Sequence, residues 1–130
     1  MGLPTDPVAN NATLQAVSSL IAAAREPTEG VRAVPTYNYD NLLEMALNAR
    51  QLPTQPIHSN RAVQDEALPI YHVHGFVPFV SEAGSTTDEI VFTESQYHLV
   101  ASDPYHWSSL VQIQNLSSPT SLMIGLSLDD

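Results

Sequence analysis

Three short stretches hold the residues best able to do chemistry: Thr36-Tyr37-Asn38-Tyr39-Asp40, His72-Val73-His74-Gly75 and Gly125-Leu126-Ser127. Each closes an apolar run. Asn38 offers an uncharged amide that can fix a ligand hydroxyl or a water, with Asp40 holding the turn. The same residues are also what turns and helix caps select, so the cluster alone reads as turn chemistry. His74 is a candidate general base, next to a glycine that lets a ligand approach the main chain closely. His72 and His74 are two apart and would point to one face of a strand. That pair could ligate a metal, but it lacks a third ligand, and a satisfied, half-buried histidine is the plainer reading. Gly125 and Ser127 could admit a nucleotide or simply turn the chain. His98, Tyr105, His106 and Trp107 fall on helical patterns and read as packing and surface residues.

The elements that must position these residues alternate along the chain. Leu14, Val17, Leu20, Ile21 and Ala24 recur at helical spacing over Ala12–Ala24, with Asn11 as N-cap. Val31–Pro35 reads as a short strand. Asn41–Arg50 is a helix capped by Asp40 or Asn41, and Asn41 with Glu44 has the spacing of a capping box. Residues 51–68 are polar, contain Pro53 and Pro56, show no period, and read as a long loop or insertion. Pro69–Gly75 is a strand, and Glu89–Phe92 a short extended segment. Thr93 opens a helix. Asp103-Pro104 is a cap and first turn for another, and Ser121–Ile124 is a buried strand. The class is therefore α/β: a mostly parallel, Rossmann-like sheet flanked by helices. The crossover rule would put the clusters at 36–40, 74–75 and 125–129 on one sheet edge, where such sheets hold ligands.

Composition narrows the chemistry. The chain has 130 residues, which suits one domain, with residues 1–11 an irregular lead-in. It has four arginines, no lysine and fourteen acids, for a formal net charge of -10. Nucleic acid and anionic membrane surfaces need basic clusters, so neither is expected as a partner. A phosphate would rest on main-chain N–H groups or helix N-termini. There is no cysteine, hence no thiolate nucleophile, disulfide or Cys-ligated zinc. No signal peptide or membrane span is visible, and a cytoplasmic setting is compatible with this.

Four pieces in this order resemble the sirtuin-like family, in particular its divergent branch in bacterial anti-phage and NAD-depleting proteins. They are TYNYDNLLEMAL (Thr36–Leu47), IYHVHG (Ile70–Gly75), EIVFTESQYHLV (Glu89–Val100) and LMIGLSLDD (Leu122–Asp130). The resemblance implies a Rossmann-like NAD-binding domain. It makes Asn38 the residue orienting the nicotinamide ribose and a water, and His74 the base toward a ribose hydroxyl. Thr36, Tyr37, Asp40 and Gly75 fall at surrounding NAD-site positions, and Gly125, Ser127 and Leu128 beside the adenosine part. No metal is implied.

Three departures from the family pattern matter. Its glycine-rich phosphate loop is absent from these residues, so the chain reads as a partial domain expected to bind NAD poorly alone. Tyr37 stands where the deacylases usually carry Gln and the divergent branch Thr. The four-cysteine zinc module of the protein deacylases is missing, with only Phe76–Asp88 between His-Gly and the next piece. The resemblance thus implies an NAD hydrolase that releases nicotinamide and ADP-ribose. The alternative is a non-catalytic NAD or ADP-ribose sensor regulating an attached or partner domain. Fusion to or association with other domains is expected, and a homo-oligomer is allowed.

Overall fold

The Leu68–His72 strand lies at the centre of a parallel sheet in the computed structural model, which describes residues 6–23, 30–78, 94–118 and 120–125. In chain order the elements are α1 (Ala12–Ala23), β1 (Val34–Thr36), α2 (Leu42–Ala49), β2 (Thr54–Ile57), β3 (Leu68–His72), α3 (Glu94–Ser102) and α4 (Trp107–Leu116). The sheet order is β1-β3-β2, with both pairings parallel. The domain is α/β and Rossmann-like, a small parallel sheet flanked by helices.

Three prolines sit in these strands, each where its missing N–H costs no ladder bond. Val73 N–H donates to Thr36 O at 3.2 Å, and Leu68 N–H to Pro53 O at 2.9 Å. With the register Pro35↔Tyr71 and Pro56↔Ile70, Pro35 and Pro56 turn their nitrogens away from β3, to the sides of β1 and β2 that no described strand pairs. A proline is tolerated in a strand where its nitrogen faces away from the ladder. Pro69 would donate opposite Arg32, ahead of the first residue of β1.

The strand β2 corrects the expectation of a long loop over residues 51–68. It is four residues of no clear period, with Pro53 before it and Pro56 inside it, and only pairing with β3 makes it a strand. The stretch Ser121–Ile124, expected as a buried strand, is not one. No described strand pairs with it, and Leu122, Met123 and Ile124 are exposed. An apolar run becomes a strand only with a neighbour for its main chain. Glu89–Phe92 and Thr93 lie outside the described residues.

One face of the sheet carries the core. Leu68 and Ile70 point from β3 toward Leu47 of α2, Ile21 of α1 and Leu52, with Val17, Ala22, Val31, Val34 and Leu43 packed around them. Asn11 caps α1 as expected, its Oδ1 accepting from Leu14 N–H at 2.9 Å. Arg50 ties the end of α2 to α1 through Ser18 Oγ and Gln15 Oε1. A Schellman closure ends α2: Gln51 N–H donates to Asn48 O and Leu52 N–H to Leu47 O. Gln51 holds φ 62° there, where glycine is usual. The cap of α4 falls later than expected. Asp103 accepts from Tyr105 N–H in a turn, and His106 is the N-cap residue of a helix beginning at Trp107.

Candidate active site

Because β1 and β3 run parallel, their C-terminal ends open on one edge, and the turns after Thr36 and His72 meet there. Val77 N–H donates to Tyr39 O at 2.6 Å and joins the two turns. A cavity of about 480 Å³ lies between them, lined by Tyr37, Asn38, Tyr39, Asp40, Val77 and Pro78. Its size falls within the range of small-ligand sites.

Each residue of the first turn has a definite hold. The Thr36 hydroxyl accepts from Asn38 N–H at 3.1 Å. Asp40 Oδ1 accepts from Leu42 N–H at 3.1 Å and starts α2. Asn41, the N-cap residue, makes no side-chain cap bond. The expected capping box with Glu44 is therefore not formed, and Asp40 does the capping. Asn38 itself is exposed at the cavity. Tyr37 packs its ring on His74, centroids 4.7 Å apart, while its hydroxyl donates to Gln112 Oε1 of α4 at 2.7 Å.

The two histidines of His72-Val73-His74 have different surroundings, so the expectation of one shared face does not hold. The strand ends at His72, and Gly75 N–H closes a turn onto His72 O. Gly75 adopts φ 114°, a conformation that suits only glycine at this turn. His74, half-buried beside Tyr37, has its pKa lowered by burial, which disfavours the charged ring. His72 continues the inward face of Leu68 and Ile70 and is 1% exposed. Its Nδ1 lies 2.8 Å from Asn38 O, and its Nε2 lies 2.5 Å from Glu44 Oε1. Both ring nitrogens are thus engaged, leaving neither for a metal.

Glu44 is the residue of the site that sequence reading misassigned. It is buried one helical turn before Leu47, on the core face of α2. A carboxylate on an apolar face needs a buried partner, and that signal was present in the sequence. Phe76 was missed too. It is stacked on His58, just past the end of β2, at 5.2 Å, and tilted against His72 at 4.7 Å. Gly125 is not brought to the cavity. It holds φ 68° with open space around it, and its neighbour Ile124 lies beside Ala12, Val17 and Leu20 of α1. Ser127 and Leu128 lie outside the described residues.

Open parallel α/β sheets hold their ligands at the C-terminal ends of the strands, and the Asn38 and His74 turns lie at that edge here. A family model for the SIR2-like domain matches residues 32–130, and the chain belongs to that family. No curated protein and no solved structure matches the chain. Membership assigns an NAD-related function in general. The exposed Asn38 lines the cavity, and His74, whose pKa burial lowers, packs on Tyr37 of the same lining. No helix among the described residues is long and apolar enough to cross a membrane.

Proposed function

We propose that the site hydrolyses NAD, with water, to nicotinamide, ADP-ribose and a proton. The bound dinucleotide supplies the scissile bond between nicotinamide and ribose. Asn38 orients the ribose and the attacking water through its amide, adding no charge of its own. His74 takes a proton at an imidazole nitrogen, a task that its burial-lowered pKa suits at neutral pH. Thr36 and Asp40 hold the turn that carries Asn38, Gly75 allows close approach at the His74 turn, and Tyr37 sets the His74 ring. Rapid loss of NAD would suit a role in anti-phage defence.

The observation that carries this reading is the meeting of the Asn38 and His74 turns at one sheet edge, where Tyr37 lines the cavity beside Asn38 and rests its ring on His74. Nicotinamide release by the full-length protein tests it. Release that depends on both side chains supports the reading. Unchanged turnover in His74→Ala and Asn38→Ala overturns it.

A second reading rests on the Tyr37–Gln112 hydrogen bond, which joins the cavity to α4. A ligand displacing Tyr37 would move α4, as a sensor of NAD or ADP-ribose requires. Saturable binding without nicotinamide release over a long incubation selects this alternative.

A further inference from the structure

We infer that Glu44 and His72 form a proton-sharing buried pair that positions Asn38 by its main chain. Its bearing on catalysis rests on the role proposed above for Asn38; the pairing itself does not.

Asn38 O can only accept, so His72 Nδ1 at 2.8 Å must carry hydrogen. The Nε2–Oε1 contact at 2.5 Å then also needs a hydrogen, held either by the imidazole or by the carboxyl. In both forms the pair has no net charge, which allows it to sit at 1% and 5% side-chain exposure. In both forms Nδ1 keeps its hydrogen, and the N–H facing Asn38 stays in place.

Asn38 is gripped from both sides. Thr36 Oγ1 accepts from its N–H, and His72 Nδ1 donates to its carbonyl. The first hold is local, two residues away. The second spans 34 residues and ties the turn to the central strand. Glu44 adds α2, so a strand end and a helix together aim one exposed amide. The phenyl ring of Phe76 packs at a tilt against the His72 imidazole, centroids 4.7 Å apart.

Stability does not explain the pair. Glu44 Oε2 is buried with no hydrogen-bond partner among the described residues. An incompletely satisfied buried pair adds little to stability compared with an apolar filling. Geometry is what an apolar filling could not supply.

The test compares the wild-type protein with Glu44→Gln, Glu44→Ala and His72→Phe. Long-range proton–nitrogen correlation spectra report the His72 tautomer, and the Asn38 carbonyl carbon shift reports its hydrogen bond. The wild type should show Nδ1 protonated. The Gln amide can donate to Nε2 of a neutral imidazole, so Glu44→Gln should keep both signals. His72→Phe should lose the Asn38 carbonyl signature. Where the wild type releases nicotinamide, kcat of His72→Phe should fall about tenfold or more, with KM within about threefold, as expected when a reacting group is misplaced rather than removed. Glu44→Gln should restore most of the rate that Glu44→Ala loses.

An unprotonated Nδ1 in the wild type overturns the inference even if His72→Phe does not fold. A folded His72→Phe with an unchanged Asn38 carbonyl, or with wild-type kcat, overturns it as well. If the wild type releases no nicotinamide, the hydrolase reading fails while the spectra still decide the pairing.

Discussion

The Tyr37 ring rests on the His74 imidazole at 4.7 Å, and its hydroxyl reaches Gln112 Oε1 at 2.7 Å. One side chain thus sets the orientation of the candidate base and fastens α4 to the sheet edge. The contact joins three pieces of chain remote in sequence. It also gives the bulky residue in the family's Asn motif a structural use. Tyr37→Phe keeps the ring contact and removes only the hydrogen bond. The expected cost is about 0.5–1 kcal/mol, since the bond is solvent-accessible. Amide exchange in α4 should quicken while that in β3 does not. Unchanged exchange in α4 would show that the bond does not hold the helix.

The His74 environment makes a pH prediction with a definite sign. Burial lowers its pKa from 6.5, so the unfolded chain binds the proton more readily than the folded one. Its contribution to stability is complete above 6.5 and is lost as pH falls through 6.5 toward the lower folded value. Turnover should be level through neutral pH and decline on the acid side with a midpoint below 6.5. An acid limb centred above 6.5 would contradict a buried, proton-accepting His74.

The core makes its own prediction. Leu47 has no exposed surface and lies against Ile21, Leu52, Leu68 and Ile70. Leu47→Ala should cost about 2–5 kcal/mol, from lost burial and the cavity left behind. A urea-unfolding midpoint within error of wild type would show that this cluster is not the core.

Gln51 offers a change in the opposite direction. It occupies the left-handed position of the closure that ends α2, at φ 62°. Glycine takes that conformation without the Cβ penalty, offset in part by its freer unfolded chain. Gln51→Gly should therefore stabilise by about 0.5 kcal/mol, read as a higher urea midpoint. A lower midpoint would place the side chain in a role that the closure does not reveal.

Much of this arrangement was legible in the sequence because it is written locally. The helical periods of α1 and α2, the caps at Asn11 and Asp40, and the strands leading into Thr36 and His72 each depend on a few neighbouring residues. What was not legible depends on pairing across the chain. The Thr54–Ile57 strand has no period and two flanking or internal prolines, and it exists because β3 lies beside it. Glu44 fits a capping-box spacing as well as a buried partner for His72, and only the crossover between β1 and β3 selects the second. The His-X-His pair followed strand alternation on paper, but a turn at Gly75 intervenes. At the other end, Leu122–Ile124 has strand composition and no described neighbour to pair with.

Nicotinamide release from NAD by the full-length protein, measured beside Asn38→Ala and His74→Ala, tests the central claim most directly. The account predicts release by the wild type and a fall of about a hundredfold or more in each variant, with near wild-type unfolding midpoints. Equal release by all three proteins would contradict it.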